Sequence, residues 1–288
     1  MRLSTAAMAL IVFGLSVSSP FARAQKSATP SLAAVQNLGF DRNDYPGDAA
    51  LPALRRHFAF AGYWLTNPPG EQSNSWLGKR DVLLKQGFGF LVLANGKEDA
   101  EILKAMKAGR GSATAIGQRD AADAVSAAQR EHFPAGTVLF LDQEEGGRLL
   151  PEQADYLLGW TEGVARSVYK PGAYVSGQTV SEGHGQTITT ARNIQEQVAS
   201  KHLHTVTLWV YDDACPPSNG CTLQPPALGA SATPEAAVWQ YAQSPRRKEN
   251  TAACAKTYAA DGNCYLPELP GMHLDLSVAS SPDPSHGR

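Results

Sequence analysis

The stretch Val138-Leu139-Phe140-Leu141-Asp142-Gln143-Glu144-Glu145-Gly146-Gly147 joins an apolar run to three carboxylates and two glycines. A short apolar run of this kind is typical of a buried strand, and the acids at its end predict delivery to the open rim of a barrel or open α/β sheet. If the strand continues, Asp142 and Glu144 point to the same side, roughly 6–7 Å apart along the chain, and Glu145 points to the other. An acidic, solvated strand-to-turn corner is the alternative interpretation.

Short apolar segments alternate with amphipathic stretches along most of the chain. The eight predicted strands cover residues 38–41, 58–65, 88–93, 137–141, 172–176, 205–211, 237–242 and 273–278, and the predicted helices cover 51–58, 76–86, 112–133, 151–167 and 191–200. This alternation predicts a parallel sheet, and eight strands in a chain of this length predict a closed barrel. We therefore expect one α/β domain over residues 37–279, a (β/α)8-type TIM barrel. Helices should be irregular or missing in the C-terminal half, since region 212–270 is rich in Pro, Gly and Cys.

The N-terminal residues have the pattern of a targeting signal. Arg2 precedes the apolar segment 6–17, and Ala22-Arg23-Ala24 has the small-x-small form of a cleavage site. We expect a signal peptide over residues 1–24 and a linker over 25–36, and hence an exported protein that is periplasmic or secreted. An uncleaved N-terminal anchor is the alternative. The polar tail 280–288 is expected to be disordered.

The composition excludes some classes of partner. The chain has 25 basic and 27 acidic residues, and two of its arginines lie in the first 24 residues, so the remaining 264 residues carry a formal charge of −4. A protein without a basic field is not expected to bind nucleic acid or an anionic membrane. No later segment approaches the roughly 20 apolar residues of a membrane helix, so we expect no membrane span in the mature chain.

Four cysteines lie in the last third of the sequence. An even number in an exported chain favours disulfides, and four cysteines allow three pairings. The preferred pairs are Cys215 with Cys221 and Cys254 with Cys264, because each closes a short loop. A structural zinc site is disfavoured, since these sites usually contain a Cys-x-x-Cys pair.

Acids, aromatic residues and an amide fall at or near the ends of the predicted strands. They are Asp41, Tyr63, Asp142, Glu144, Tyr174, Trp209, Gln240 and Asp275. Because the strand ends of a barrel converge on one face, we expect the site there. Aromatic faces stack on the C–H faces of a sugar, and sugar hydroxyls bond to carboxylates and amides, so the set suits a carbohydrate. For each aromatic residue, packing in the core or at the rim is the alternative.

Other catalytic patterns do not occur. The sequence contains no Gly-x-Ser-x-Gly elbow, no His-Glu-x-x-His helix and no phosphate-binding glycine loop followed by Lys-Ser/Thr. Serine hydrolases, zincins and nucleotide-dependent enzymes are therefore disfavoured. The pair His202 and His204 fits two solvated rings at a strand start better than a metal site.

Six short motifs occur in order along the chain: Gly39-Phe40-Asp41 with Tyr45-Pro46, Asp142-x-Glu144, Ala173-Tyr174-Val175-Ser176, Leu208-Trp209-Val210, Trp239-Gln240-Tyr241 and Leu274-Asp275-Leu276. As a series they resemble the glycoside-hydrolase-like domain first described as DUF1906, a family related to the GH25 lysozyme-type muramidases. The chain departs from the muramidase pattern at Tyr211-Asp212-Asp213 and in the insertion 245–270.

The resemblance implies an exported glycoside hydrolase that cleaves a β-linked, N-acetylated polysaccharide such as peptidoglycan. Glu144 would be the general acid, and Asp142 would orient a 2-acetamido group or stabilise an oxocarbenium-like transition state. Asp41 completes the catalytic set. The remaining residues bind substrate, namely Tyr63, Tyr174, Trp209, Gln240 and Asp275. Whether a protein carboxylate or the substrate acetamido group attacks stays open.

A non-catalytic carbohydrate-binding or cell-envelope protein on the same barrel is the alternative function. In either case the expected partner is a polysaccharide, and the chain is expected to be a monomer. No metal and no cofactor are expected, because acid-assisted glycoside cleavage needs only carboxyl groups.

Overall fold

A computed structural model of the protein describes residues 36–214, 218–250 and 256–288. Its barrel strands are β1 (Asn37–Asp41), β2 (Phe60–Trp64), β3 (Gly89–Asn95), β4 (Val138–Gln143), β5 (Lys170–Ser176), β8 (Thr207–Tyr211), β9 (Ala236–Ala242) and β10 (Asp275–Ala279). A separate hairpin consists of β6 (Val180–Gly183) and β7 (Gln186–Ile188). The eight strands form one closed barrel in the order β1-β10-β9-β8-β5-β4-β3-β2. The predicted signal peptide and all of the linker but residue 36 lie outside the described residues.

Helices cover the outside of the first part of the barrel. They are α1 (Leu51–His57), α2 (Arg80–Lys85), α3 (Asp99–Lys107), α4 (Ala113–Arg130), α5 (Pro151–Ala165) and α6 (Thr190–Ser200). After α6 the described residues contain two short 3₁₀ helices and no α-helix, as expected for the C-terminal half. None of the helices in the described ranges is long and apolar enough to cross a membrane.

Local side-chain contacts set two of the helix starts. The hydroxyl of Ser112 accepts a hydrogen bond from the backbone N–H of Ala115, which caps α4 where the sequence predicts a helix to begin. The predicted helix 76–86 begins later, at Arg80, because the side chain of Asn74 binds the backbone N–H of Trp76 and holds it in the preceding turn.

The last barrel strand runs opposite to the other seven. β10 pairs antiparallel with β1 and with β9, whereas the six other pairings between neighbours are parallel. The connection 243–274 leaves the barrel at the end where β9 finishes and re-enters the barrel at the same end. The next strand, β10, therefore runs in the opposite direction to β9. Asp275 is therefore the first residue of its strand, and its register partner is Asp41, the last residue of β1.

The residues after β10 are ordered against the barrel, so the prediction of a disordered tail 280–288 is wrong. The backbone N–H of Ser285 donates to the carbonyl of Phe90, and the N–H of Val138 donates to the carbonyl of Ser285. Asp283 accepts a hydrogen bond from the N–H of Phe90 at 2.9 Å. These bonds satisfy backbone groups at the N-terminal ends of β3 and β4, which is why short polar residues there become fixed.

Asp283→Ala is expected to destabilise the fold by about 1–3 kcal/mol, because buried N–H groups then lose their acceptor. The carboxyl accepts from the N–H groups of Phe90, Gly287 and Arg288. Urea unfolding measures the change in the free energy of unfolding. Asp123→Ala, on an exposed position of α4, is the control and should change it by less than about 0.5 kcal/mol. Equal effects of the two substitutions would contradict a structural role for the tail.

Candidate active site

An open cavity of about 510 Å³ lies at the end of the barrel where the parallel strands finish. Its lining includes the acids Asp41, Asp142, Glu144 and Asp275, the aromatic residues Trp64, Tyr174 and Trp209, and the cation Arg247. The cavity thus brings together six of the eight predicted site residues. The described part of the chain presents no group of three or more His, Cys, Asp or Glu side chains placed to hold a metal ion.

The end of β4 delivers two of the four acids. Asp142 lies within the strand and is 6 % exposed, while Glu144 follows the strand and has a side chain that is 54 % exposed. Glu145 points away from this cavity, as the alternation of side chains along a strand predicts. Its carboxylate accepts hydrogen bonds from the backbone N–H of Asp99 and from the amide of Gln143. Asp142 is thus the buried acid and Glu144 the acid at the mouth.

Asp41 and Asp275 enter the cavity from the neighbouring strands β1 and β10. Position 62 on β2 is a glycine, and a Cβ atom there would lie 2.5 Å from the Cβ of Asp41. Any larger residue at Gly62 would therefore displace the Asp41 side chain. Asp275 accepts a hydrogen bond of 2.5 Å from the backbone N–H of Ser244, which fixes its carboxyl group at the rim.

A chain of hydrogen bonds runs beneath the cavity from a cation to a carboxyl group. Arg247 Nε donates to Gln243 Oε1 (2.6 Å), and Gln243 Nε2 donates to the Tyr174 hydroxyl (2.9 Å). Tyr174 donates to Gln240 Oε1 (2.6 Å), and Gln240 Nε2 donates to both oxygens of Asp41 (3.1 and 3.2 Å). Because guanidinium only donates, every link has a defined direction. Gln240 therefore orients Tyr174 and Asp41 from below instead of lining the cavity.

Burial is the largest cause of the raised pKa values of Asp41, Asp142 and Asp275. It raises the pKa of Asp41 to about 8, although the hydrogen bond from Gln240 opposes the rise and the charges of Asp142 and Glu144 add to it. Burial also raises the pKa of Asp142 well above its usual range, with repulsion from Glu144 next. The pKa of Asp275 rises well above its usual range by burial and then by repulsion from Asp41. Burial and mutual repulsion therefore oppose the ionisation of all three aspartates together.

Glu144 experiences two opposing influences. The cavity walls raise its pKa by desolvation, and Arg247, 3.8 Å from Glu144 Oε2, lowers it. Solvent at the exposed side of Glu144 limits both effects. Arg247 itself lies over the ring of Tyr211, 4.3 Å from the centroid, and 3.9 Å from Asp213, whose pKa is raised by burial. The cation is therefore shared between Glu144 and Asp213.

Tyr63 does not reach the cavity, so its prediction as a sugar-binding residue is wrong. Neighbouring residues of a strand point to opposite faces, and on β2 it is Trp64 that lines the cavity. Tyr63 packs between the barrel and the helices, with its ring 5.2 Å from that of Phe133 and its hydroxyl bonded to Glu131.

Four further residues of the cavity lining follow β9 and were not predicted, namely Gln243, Ser244, Pro245 and Arg247. A usable signal exists, because Gln243-Ser244-Pro245-Arg246-Arg247 is a polar and basic stretch directly after a barrel strand. Loops in that position build the sites of barrel enzymes.

The disulfide bond joins Cys221 to Cys264, with 5.5 Å between their Cα atoms. The preferred pairs Cys215 with Cys221 and Cys254 with Cys264 are therefore wrong; Cys215 and Cys254 lie outside the described residues. The bond links the loop after β8 to the loop after β9, and short spacing along the chain does not show which loops pack together. The N–H of Cys264 donates to the hydroxyl of Ser244, which lines the cavity, so the disulfide is connected to the lining through this hydrogen bond.

The sequence matches the model of a family described as "Rv2525c-like, glycoside hydrolase-like domain" over residues 58–261. The chain belongs to this family. The resemblance carried by the ordered motifs is thereby confirmed. No curated protein matches the sequence.

Three solved structures are similar to this chain. An uncharacterized protein of B. stearothermophilus is 18 % identical, with a TM-score of 0.53 over 84 % of this chain and 95 % of that one. The Tat-secreted protein Rv2525c of Mycobacterium tuberculosis, in complex with L-tartrate, is 13 % identical, with a TM-score of 0.48 over 84 % and 93 %. The catalytic domain of endolysin ply40 from Listeria monocytogenes bacteriophage P40 is 15 % identical, with a TM-score of 0.42 over 86 % and 94 %. The first of these supports the barrel fold.

Asp41→Asn is expected to flatten the pH dependence of stability. The pKa of Asp41 is about 8 in the folded protein and near its usual 3.8 in the unfolded chain. The folded state therefore keeps a proton that the unfolded chain releases. Stability from this group is complete below about pH 4 and is lost as the pH rises to about 8, by up to about 1.4 kcal/mol per unit.

Urea unfolding of the wild type and Asp41→Asn across this range measures the effect. The free energy of unfolding of the wild type minus that of the variant should fall as the pH rises. Asp44→Asn, on the exposed loop after β1, should leave the wild-type slope unchanged. Parallel slopes for the wild type and Asp41→Asn would show that Asp41 does not hold the proton.

Proposed function

We propose that this protein is an exported glycoside hydrolase that acts on a β-linked, N-acetylated polysaccharide such as peptidoglycan by acid-assisted hydrolysis. The observation that carries the proposal is the meeting of four carboxyl groups, from β1, β4 and β10, in one open cavity at the barrel rim. Membership of a glycoside hydrolase-like family supports the reaction class. Export is proposed from the signal-like pattern of residues 1–24.

Glu144 is the proposed general acid. Its position at the cavity mouth is open to a glycosidic oxygen, while desolvation raises its pKa and favours the protonated form that the first step requires. Asp142, two residues earlier and buried, lies on the same side of the chain. It is the proposed partner that orients a 2-acetamido group or stabilises positive charge in the transition state.

Asp41 and Asp275 are proposed to position the sugar from the opposite side of the cavity. The carboxyl group of Asp41 is held by Gln240, and that of Asp275 is held by the backbone of Ser244, so both are pre-organised to accept hydroxyl donors. Tyr174 and Trp209 line the cavity with 4.5 Å between their ring centroids and are 4 % and 0 % exposed, so a sugar is proposed to pack only against the small part of Tyr174 that reaches the cavity.

A non-catalytic glycan-binding protein is the second candidate. Arg247 favours it, because a guanidinium 3.8 Å from Glu144 stabilises the ionised carboxylate, which has no proton to donate. The two candidates share the binding cavity and differ only in whether a product forms.

Glu144→Gln is expected to lower the rate of reducing-end release from peptidoglycan and chitin-like oligomers by about 10²–10⁴-fold, since the amide cannot transfer a proton. Binding of the same oligomers, measured by calorimetry, should stay within a few-fold of the wild type. Glu235→Gln, at an exposed position just before β9, is the matched control and should keep the wild-type rate. Equal rates for the wild type and Glu144→Gln would remove Glu144 from the chemistry. Saturable binding without product from either protein would favour the second candidate.

Arg247→Met is expected to shift the alkaline limb of the pH–rate profile to higher pH. Arg247 lowers the pKa of Glu144, so its loss lets the general acid stay protonated at higher pH. Lys248→Met, the next and exposed position, is the control and should leave the limb in place. An unchanged or acid-shifted limb in Arg247→Met would mean that this limb does not report the ionisation of Glu144.

A further inference from the structure

A second cavity of about 670 Å³ adjoins the first across Glu144. It is formed by residues 95–100, where the chain passes from β3 into α3, and by the end of β4; we call it the α3 cavity. The two cavities share Pro69, Asp142 and Glu144 in their linings. A ligand that spans both cavities would therefore pass Glu144, with one part in the first cavity and the next part in the α3 cavity.

The start of α3 accounts for some of the acids in this cavity. The side chain of Glu101 accepts a hydrogen bond from the backbone N–H of Glu98, and Glu145 accepts one from the N–H of Asp99. The ammonium of Lys97 lies 2.5 Å from Asp120, which takes up its charge. Capping thus explains Glu101 and Glu145 but gives no role to the carboxyl groups of Glu98 and Asp99.

Two acceptor atoms in the lining receive no hydrogen bond from the described residues, namely Asp99 Oδ1 and Gln143 Oε1. Gln143 is only 2 % exposed. The amide of Gln143 has a defined orientation, because its nitrogen donates to the carbonyl of Lys97 and to Glu145. Its oxygen is therefore left as an acceptor. A ligand that reaches these two atoms must supply donors.

The charge of the cavity distinguishes between kinds of donor. The carboxyl groups of Glu98, Asp99 and Glu145 line it, beside Glu144 as the proposed proton donor, while Lys97 is paired. The N-terminus of α3 contributes only about half a positive charge, and the N–H groups of Glu98 and Asp99 already donate to Glu101 and Glu145. An ammonium group offers three donors and the opposite charge, whereas a hydroxyl group offers one donor and no charge.

We propose that the α3 cavity binds a primary ammonium group on the substrate unit next to the bond that Glu144 addresses. The placement beside that bond rests on the proposed function, whereas the binding itself does not require hydrolysis. Two sources carry this chemistry: a 2-amino sugar without an acetyl group, and the free amine of a peptide attached to the glycan.

Calorimetry with the full chain carrying Glu144→Gln, which prevents turnover, tests the proposal. The probes are a tetramer of β-1,4-linked glucosamine and the tetramer of N-acetylglucosamine, at low salt and at a pH where the amines are charged. The amine tetramer should bind at least about tenfold more tightly. Adding Asp99→Asn should abolish this preference, and adding Asp123→Asn, on the exposed face of α4, should preserve it.

A second pair of probes separates the two sources. A disaccharide-peptide with a free amine is compared with the same molecule after acetylation of that amine. A preference for the amine in either pair that Asp99→Asn removes supports the site and identifies its source. Equal affinities within both pairs overturn the proposal. A preference that survives both Asp99→Asn and Glu145→Gln, in proteins whose thermal unfolding shows them folded, also overturns it.

The ammonium site and the hydrolase activity can fail independently of each other. An amine preference that depends on Asp99, in a protein that releases no product as wild type, leaves the ammonium site standing and removes the hydrolase. Hydrolysis that depends on Glu144 without an amine preference leaves the hydrolase standing and removes the ammonium site.

Discussion

The antiparallel strand β10 closes the barrel between β1 and β9, and the rest of the structure depends on this pairing. Without it, β1 and β9 would each present an edge of unpaired backbone groups. Its direction also sets the chemistry of the rim. Because β10 runs opposite to its neighbours, its first residue, Asp275, lies beside Asp41, the last residue of β1. The carboxyl cluster therefore follows from a strand direction as much as from the residues themselves.

Placing four carboxyl groups in one cavity is unfavourable unless protons, hydrogen bonds or a cation offset the repulsion. The structure contains all three. Burial raises the pKa of Asp41, Asp142 and Asp275, so protons remain on the cluster. Gln240 and the backbone at Ser244 supply donors, and Arg247 supplies the positive charge at the mouth. Groups whose proton affinities are set by their surroundings in this way are suited to acid–base work at neutral pH.

Loops replace helices over the C-terminal part of the barrel, and they contribute to the site. The loop after β9 carries Gln243 and Arg247, which connect the mouth of the cavity to Asp41 through Tyr174, and Ser244, whose N–H binds Asp275. The disulfide between Cys221 and Cys264 links this loop to the loop after β8, and the N–H of Cys264 donates to the hydroxyl of Ser244. The site thus has a rigid part, built on strand ends, and a part whose position depends on the packing of two long loops.

The sequence by itself determined the alternation of strands and helices, the barrel class and the strand ends that carry Asp41, Asp142 and Glu144, because apolar runs that stop at acids are local patterns. Local periodicity does not show which of two neighbouring strand residues faces the cavity. The prediction therefore named Tyr63, whereas the structure places Trp64 there. Nor does it show which distant segments meet, since contacts over long separations depend on how elements pack. The direction of β10, the pairing of Cys221 with Cys264, the ordered tail and the approach of Arg247 to Glu144 were therefore decided only by the tertiary structure.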